Sequence, residues 1–147
     1  MEDNLIEIKQ FFFKTMPNIR KHLLIDFFKK ECSVYDMNKN QYKTILILKN
    51  HGLKSMTELC SMLQLEKGSF TTIVDVLTEK GYVIRTKDEK DRRKHVIQLT
   101  EKGIEFADGQ INKWNEHLMR KLDKLSKEEQ DRFLDAMKAL DDISNKL

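Results

Sequence analysis

The sequence is poor in the residues that interrupt helices, because its 147 residues include one proline and five glycines. It also lacks Gly/Ser-rich linkers, repeats and low-complexity tracts, which excludes a string of domains joined by flexible segments. Its length suits one folded body of ordinary size. The two cysteines, Cys32 and Cys60, lie 28 positions apart without a second pair. The sequence therefore predicts neither a disulfide framework nor a zinc site.

Long apolar runs are absent as well. The longest runs, residues 11–13 and 45–48, are far shorter than the about 20 residues that a membrane-spanning helix needs. The first residues are acidic and lack the basic-then-apolar order of a secretory signal. We therefore expect a cytoplasmic protein that does not interact with membranes.

Motifs for catalysis and metal binding are also missing. The sequence has no Gly-rich phosphate loop and no nucleophile motif, and its histidines lack metal-ligand spacing. These histidines are His22, His51, His95 and His117. We expect a protein that is not an enzyme and that holds no cofactor or metal.

Positive charge is concentrated in the middle of the chain, although the net charge is only +3. Residues 39–103 carry thirteen basic and eight acidic side chains, a net charge of +5. Residues 1–38 are neutral, and residues 104–147 carry a net charge of −2. The middle third would therefore attract a polyanion, although a solvated protein face gives a similar excess of charge.

At both ends of the chain, mainly apolar residues recur every three or four positions, as they do on one face of a helix. The N-terminal series is Leu5, Ile8, Phe12, Ile19, Leu23 and Phe27. The C-terminal series is Ile111, Trp114, Leu118, Leu122, Leu125, Phe133, Met137, Leu140, Ser144 and Leu147. Pro17 predicts a kink or a restart in the first helix, and Ser126 with Glu129 has the spacing of a capping box. Because these apolar stripes have no other body to pack on, we expect a second copy of the chain to bury them.

The middle of the chain predicts three short helices, over residues 40–50, 59–63 and 65–80. Gly52 and Gly81 are placed to end the first and the third helix. The residues expected to face inward are Tyr42, Ile45, Leu46 and Leu48 in the first helix and Phe70, Ile73, Val74 and Leu77 in the third.

The second helix has two alternative starts. Thr57 suits the N-cap position, and Ser55 with Glu58 has the spacing of a capping box. After the third helix the apolar period changes from 3.6 to 2, which predicts two strands, residues 82–86 and 95–99. Eight polar residues join the strands, and Thr100 caps the helix that follows.

This order of elements is that of a winged helix-turn-helix, whose third helix enters the major groove of DNA. We therefore predict a mainly α fold with a small β-hairpin wing. Residues 1–38 are expected to form an N-terminal dimerisation helix or helices, and residues 39–99 the winged helix-turn-helix. Residues 100–147 are expected to form C-terminal helices that complete the dimerisation region.

Several segments of the middle third carry a specific pattern. They are Glu58-Leu59, the segment from Leu77 to Arg85 (LTEKGYVIR), the segment from Asp88 to Lys94 (DEKDRRK), and the segment from Leu99 to Gly103 (LTEKG). With these segments, about residues 40–103 resemble the multiple-antibiotic-resistance regulator (MarR) family. The resemblance implies a bacterial transcription regulator, usually a repressor, that binds double-stranded DNA as a homodimer. Two such units on a twofold axis would require a palindromic site.

The resemblance also implies that an arginine at the wing tip enters the minor groove, steadied by a nearby aspartate. Arg92, Arg93 and Asp91 are the candidates, and the sequence leaves open which arginine enters. A guanidinium suits the narrow minor groove of A·T-rich DNA, whereas the alternative is a solvated charged loop. The wing residues expected to contact DNA are Arg85, Lys87, Lys90, Asp91, Arg92, Arg93 and Lys94.

The predicted recognition helix has few basic residues, since residues 66–80 carry three acidic and two basic side chains. Its expected DNA-facing residues are Lys67, Gly68, Ser69, Thr71, Thr72 and Asp75. Threonine methyls suit thymine methyl groups, and Lys67 suits guanine or phosphate. We therefore predict an A·T-rich operator and a large share of the affinity from wing and backbone contacts.

Members of the family commonly bind a small phenolic or anionic effector between the dimerisation helices and the winged domain. The residues that would line such a site here are Phe12, Met16, His22, Phe27, Tyr35 and Tyr42. Aromatic residues at helical spacing are, more commonly, simple core residues. Other members sense oxidants through a cysteine, and Cys32, beside Lys29 and Lys30, would need a lowered thiol pKa for that role.

A winged-helix module that binds another protein, or an antirepressor without specific DNA binding, is the alternative function. The recognition helix, with its net charge of −1, favours this alternative. The complete Asp91-Arg92-Arg93 sequence of the wing argues against it.

Overall fold

The structure, a computed structural model, describes the backbone of residues 2–146 and the side chains of residues 4–146. Met1 and Leu147, which belong to the predicted terminal segments, lie outside the described residues. The helices are α1 (Glu2–Gln10), α2 (Met16–Arg20), α3 (Asp26–Val34), α4 (Lys39–His51), α5 (Met56–Leu63), α6 (Lys67–Glu79), α7 (Glu101–Leu122) and α8 (Lys127–Ser144). The strands are β1 (Lys54–Ser55), β2 (Val83–Lys87) and β3 (His95–Leu99). The predicted fold class, mainly helical with a small β wing, is confirmed.

The chain divides into two compact units. The second unit is Asp26–Lys113, and the first unit consists of the chain before and after it. These boundaries differ from the predicted ones, which followed residues 38 and 99. The difference arises because Phe28 of α3 and Phe106 of α7 pack against the core of the second unit.

In the first unit, the interruption expected at Pro17 takes the form of two π-helical turns, Phe11–Thr15 and Lys21–Ile25. Pro17 lies in the first turn of α2 and has no backbone N–H to donate. Just before it, the N–H of Met16 bonds to the carbonyl of Phe11, five residues back. The helix therefore widens around the proline and does not end there.

Two side chains of α7 bind the backbone of the second π-helical turn. The indole N–H of Trp114 donates to the carbonyl of Leu23 at 3.0 Å. The ring Nε2 of His117 lies 2.9 Å from the carbonyl oxygen of His22. These contacts fix α7 against the N-terminal helix within the first unit.

The capping box predicted at the start of α8 is confirmed. Ser126 Oγ accepts the N–H of Glu129 at 3.3 Å, and the Glu129 carboxylate accepts the N–H of Ser126 at 2.8 Å. The bonds from Ser126 hold the pKa of the Glu129 carboxyl below its ordinary value. Beyond the cap, α8 leaves apolar side chains exposed, namely Leu134, Met137, Leu140 and Ile143.

The core of the second unit forms where α4, α5 and α6 meet the sheet. All four residues predicted to face inward from α6 are buried, and so are three of the four from α4. Leu46 is only partly buried. The buried residues of these two sets are Tyr42, Ile45, Leu48, Phe70, Ile73, Val74 and Leu77.

Two helix starts differ from the preferred predictions. The N-cap of α5 is Ser55, whose hydroxyl accepts a backbone N–H of the first turn at 3.2 Å, so the Thr57 alternative is wrong. The third helix starts at Lys67 and not at residue 65. The reason is that Gln64 has the left-handed conformation (φ 54°) that ends α5, and Glu66 is extended.

The wing is part of a three-stranded antiparallel sheet with the order β1-β3-β2. In the hairpin, Val83 pairs with Leu99 and Arg85 pairs with Ile97. β1 was not predicted, because two residues show no period, and the start of β2 was predicted one residue early. We call the loop that joins β2 and β3, residues 88–94, the wing loop.

The turn from the sheet into α7 depends on Gly103. Thr100 Oγ1 accepts the N–H of Gly103 at 3.0 Å, which confirms Thr100 as the predicted cap, and it donates to the carbonyl of Gly81 at 2.6 Å. A Cβ at position 103 would lie 2.1 Å from the carbonyl oxygen of Tyr82. The Thr-x-x-Gly sequence therefore has a steric reason, because only glycine permits this close approach.

Candidate nucleic-acid interface

The predicted DNA-facing side of α6 is solvent-exposed, because the opposite side is buried in the core. The exposed residues include Lys67, Gly68, Ser69, Thr71, Thr72 and Asp75. No side chain caps the N-terminus of α6, and a Cβ at Gly68 would have no neighbouring heavy atom within 4 Å. The Thr71 hydroxyl donates to the Lys67 carbonyl at 3.0 Å. The first turn of α6 is therefore open to a large ligand.

Two aspartates of the wing loop, Asp88 and Asp91, bind its own backbone. Asp88 Oδ1 accepts the N–H groups of Lys90 and Asp91 at 2.7 and 3.2 Å, and these bonds hold the pKa of the Asp88 carboxyl below its ordinary value. Asp91 Oδ1 accepts the N–H of Arg93 at 3.1 Å. The two aspartates thus order the loop, and their negative charge partly compensates backbone dipoles.

Backbone hydrogen bonds close the base of the wing loop. The N–H of Asp88 donates to the carbonyl of Lys94 at 2.9 Å, and the N–H of Lys94 donates to the carbonyl of Asp91 at 2.8 Å. The basic side chains of this region are all exposed; they are Lys87, Lys90, Arg92, Arg93 and Lys94. An ordered loop with exposed cations is suited to binding a polyanion.

A cleft of about 720 Å³ lies between the wing loop and the N-terminal ends of α5 and α6. We call it the wing cleft. It is lined by Ser55, Met56, Thr57, Glu58, Lys67, Asp88, Arg93, Lys94 and His95. The cleft thus brings Lys67 of the recognition helix together with Arg93 and Lys94 of the wing, which were predicted to make separate DNA contacts.

Five polar residues of the wing cleft were not predicted as site residues, namely Ser55, Thr57, Glu58, Asp88 and His95. His95 lies opposite Lys87 in the β2–β3 register, and strand alternation places it on the same face of the sheet as Ile97. The alternation of side chains along β3 could therefore have placed His95 at the wing cleft. The Glu58 carboxylate accepts the Ser55 N–H and hydroxyl, both at 2.7 Å, and these bonds lower the pKa of Glu58.

Asp75 and Arg85, both expected to contact DNA, bind each other. Arg85 Nη2 lies 2.5 Å from Asp75 Oδ1. The two side chains are 38% and 58% exposed, so water reaches the pair. This ion pair joins the exposed side of α6 to the strand that leads into the wing loop.

The residues predicted to line an effector site are divided between the two units. Phe12, Met16 and His22 belong to the first unit, and Phe27, Tyr35 and Tyr42 belong to the second. Phe27 and Tyr42 are buried, with exposed fractions of 6% and 1%.

In the second unit, Tyr42 and Tyr35 both have side-chain partners. The Tyr42 hydroxyl donates to Gln110 Oε1 at 2.9 Å, and burial raises the pKa of Tyr42. Lys113 Nζ lies 2.9 Å from the Tyr35 hydroxyl and 3.1 Å from the buried carboxylate of Glu31. Their positions are those of core and core-edge residues.

The environment of Cys32 does not activate its thiol. Burial and the neighbouring charge of Glu31 raise its pKa, and Lys39 opposes them with a smaller effect. The lowered thiol pKa that an oxidant-sensing role would need is therefore not found at Cys32. A raised pKa reduces the thiolate fraction, which is the reactive form.

The residues that the structure describes contain no group of three or more His, Cys, Asp or Glu side chains arranged to hold a metal ion. None of the helices within residues 2–146 has the length and apolar character needed to span a membrane.

Comparisons with known proteins agree with this geometry. A sequence model of the MarR family matches residues 37–95. YfiV of Bacillus subtilis, an uncharacterised HTH-type transcriptional regulator, is 31% identical over 105 residues, which are 71% of this chain and 66% of YfiV. The chain thus spans just under two thirds of the length of that relative.

Solved structures show the same fold over nearly the whole chain. A MarR family protein from Bacillus stearothermophilus superposes with a TM-score of 0.79 at 22% identity, covering 99% of this chain and 98% of that one. The transcriptional regulator Tm0710 from Thermotoga maritima gives a TM-score of 0.75 at 25% identity, covering 93% and 96%. Members of the family are transcription regulators, so the prediction that the chain is not an enzyme is confirmed. The chain belongs to the MarR family of winged-helix DNA-binding transcription regulators.

Proposed function

We propose that this protein is cytoplasmic and represses transcription by binding, as a homodimer, to a palindromic A·T-rich operator. The wing cleft is the observation that carries the proposal. The cleft places the cations Lys67, Arg93 and Lys94 along one depression, beside the open first turn of α6 and the ordered wing loop.

The geometry of duplex DNA explains why a cleft is needed there. When a helix occupies the major groove and a wing occupies the adjacent minor groove, one sugar–phosphate strand must pass between them. The wing cleft has the position and the cations to receive that strand. Lys67 would approach it from the helix side, and Arg93 and Lys94 from the wing side.

The proposed preference for A·T-rich DNA follows from the side chains that α6 and the wing loop expose. α6 presents Thr72, Ser69 and a single lysine on its first turns, groups that suit thymine methyls and base-edge hydrogen bonds more than paired contacts to guanine. Arg92 or Arg93 of the wing loop would enter a narrow minor groove, where negative potential is enhanced.

A homodimer is supported by exposed apolar side chains on the first unit. They are Leu5, Ile6, Ile8, Phe12 and Phe13 towards the N-terminus and Met119, Leu134, Met137, Leu140 and Ile143 in α7 and α8. So many exposed apolar side chains are unusual for a monomer. Two chains related by a twofold axis would direct two recognition helices to major grooves about 34 Å apart.

Release of the operator by a small phenolic or anionic effector completes the proposal. Such a ligand shifts the protein only if it binds the DNA-incompatible arrangement more tightly. Titration of the preformed complex with a phenolic acid, with its methyl ester as an uncharged control, tests this part. An operator affinity that neither compound changes would remove this effector class from the proposal.

The proposed function is tested by selecting bound sequences from a random duplex pool. Affinity for the selected duplex is then measured at about 50 and 200 mM salt, between which a protein with 6–10 phosphate contacts loses about 10³–10⁵ in affinity. We expect a palindromic A·T-rich consensus and a steep loss of affinity. Selection of a G·C-rich or asymmetric site would contradict the proposed operator.

A module that binds another protein is the second candidate, because the recognition helix, residues 66–80, has a net charge of −1. This function predicts weak DNA affinity with little enrichment in the selection. The selection and the affinity measurements at two salt concentrations therefore distinguish the two candidate functions.

A further inference from the structure

His95 lies at the start of β3, where the chain enters the strand from the wing loop. Its side chain is exposed and lines the wing cleft. In the hairpin it lies opposite Lys87, and strand alternation places it on the same face of the sheet as the fully buried Ile97. Among the side chains of residues 4–146, the imidazole has no hydrogen-bond or ion-pair partner. The ring is therefore available to a ligand that enters the cleft.

The charged groups around His95 come from α5, α6, β2 and the wing loop. Four are cations and two are anions, so their net charge of +2 favours an incoming anion. These groups are Glu58 of α5, Lys67 of α6, Lys87 of β2, and Asp88, Arg93 and Lys94 of the wing loop.

The two carboxylates of the wing cleft stay ionised at the pH values at which histidine titrates. Hydrogen bonds from Ser55 lower the pKa of Glu58, and two backbone N–H groups of the wing loop lower the pKa of Asp88. Lysine and arginine side chains keep their positive charge in the same range. Among the described residues that line the cleft, His95 is therefore the side chain whose charge changes between about pH 5 and pH 8.

We infer that His95 is a phosphate contact of the wing cleft and that its protonation strengthens operator binding. When the imidazole takes up a proton from solvent, both ring nitrogens become donors, and the cleft gains one positive charge. A phosphate beside the ring in turn favours the imidazolium ion, so binding and protonation are linked. The inference rests on the proposed function, because it requires a sugar–phosphate strand in the cleft.

Operator affinity should consequently increase as the pH falls from about 7.5 to about 5.5. One hydrogen bond to a charged group is worth about tenfold in affinity, so a homodimer with two clefts should gain about a hundredfold. The log–log salt slope should steepen by about 0.9 for each phosphate that a protonated His95 neutralises. A wild type that binds the selected duplex equally well at both pH values would overturn the inference.

Two substitutions of His95 test whether its charge is responsible. His95→Gln is neutral at every pH, so its affinity should not increase on acidification. His95→Lys carries a permanent cation, so at the higher pH it should bind about as tightly as the wild type does at the lower pH. His51→Gln is the matched control, because His51 is an exposed histidine of the same unit outside the cleft lining. A pH dependence that His95→Gln retains, or that His51→Gln loses, would assign the effect to another group.

A titration of the protein without DNA separates failure of this inference from failure of the proposed function. The imidazole NMR signals of His95 and His51 are followed against pH, with and without inorganic tripolyphosphate. Tripolyphosphate should raise the titration midpoint of His95 by about half a unit and leave that of His51 unchanged. If the wild type binds no duplex, the proposed function fails, and a raised midpoint still supports a phosphate contact at His95. An unchanged His95 midpoint would overturn the inference, whether or not the duplex binds.

Discussion

At the scale of single residues, Gly103 has a role that its position in α7 would not suggest. A Cβ there would lie 2.1 Å from the Tyr82 carbonyl oxygen, whereas a Cβ at Gly109 of the same helix meets nothing within 4 Å. Gly103→Ala should therefore destabilise the protein by about 1–3 kcal/mol, because the backbone must move. Gly109→Ala should stabilise it by about 0.5–1 kcal/mol.

Chemical denaturation of the two variants measures this difference. Because both substitutions add one methyl group to α7, the comparison isolates the close contact from helix propensity. Equal stabilities of the two variants would show that the turn into α7 is not as tight as described.

The wing arginines give a prediction that depends on charge. Arg92→Ala and Arg93→Ala should each weaken operator binding, and each variant whose arginine neutralises a phosphate should reduce the log–log salt slope by about 0.9. Lys138→Ala of α8, a cation of the first unit paired with Asp135 at 3.7 Å, serves as the control. Salt titrations that give all three variants the wild-type slope would disprove a DNA contact at the wing tip.

A residue's role could be predicted from the sequence when its binding partner lies within a few positions along the chain. Thr100 and Ser126 cap the next few residues of the chain, so spacing alone identified them. Asp75 and Arg85 are ten residues apart, and only the packing of a helix on a strand brings them together. The sequence could therefore predict a DNA contact for each residue, but it could not show that the two bind each other.

At the scale of elements, the capping box of α8 offers a test of local stability. Ser126→Ala removes the hydroxyl that accepts the Glu129 N–H and should cost about 1 kcal/mol. Ser144→Ala, at the other end of α8, removes only a bond to the Asp141 carbonyl and should cost less. Thermal melts of both variants compare the two ends of the helix, and equal losses would speak against the cap.

The same cap predicts a pH dependence. The pKa of Glu129 is lowered from its ordinary value of 4.5 in the folded protein, so its ionised form contributes stability at neutral pH. That contribution is lost as the pH falls from about 4.5 through the folded pKa. The stability difference between wild type and Glu129→Gln should accordingly shrink on acidification, and a constant difference from pH 7 to pH 3 would contradict it.

Helices and strands whose apolar residues recur with a clear period were predicted, and elements without such a period were not. The apolar stripe of α6 gave its buried face correctly, since four residues at helical spacing identify one side of a helix. The two residues of β1 and the π-helical turns around Pro17 have no such signal. Pro17 indicated a disturbance, but the widening depends on which carbonyl accepts the N–H of Met16.

At the scale of the whole molecule, function as proposed requires two chains. Leu134 and Leu140 of α8 are 45% and 50% exposed, and replacing both with glutamate should yield monomers with much weaker operator binding. Leu53→Glu, at a side chain of the second unit that is 54% exposed, is the control. Sedimentation velocity gives the assembly state, and a wild type that sediments as a monomer would contradict the account.

The proposed homodimer was already a prediction from the sequence, because apolar side chains recur at helical spacing at both ends of the chain. The division of the effector-site candidates between the two units was not predicted. Helical spacing does not distinguish an aromatic residue of the core from one that lines a pocket. Tyr42 illustrates this point, because its ring is buried and its hydroxyl is bound to Gln110. Such a distinction depends on neighbours from distant parts of the chain.

A hydroxyl-radical footprint on the selected operator tests the central claim most directly. Twofold-related wings and recognition helices should protect two half-sites about one helical turn apart, each extending into a flanking A·T-rich minor groove. Loss of the flanking protection in the Arg92→Ala/Arg93→Ala double variant would assign it to the wing. A single protected segment without twofold symmetry would contradict the account.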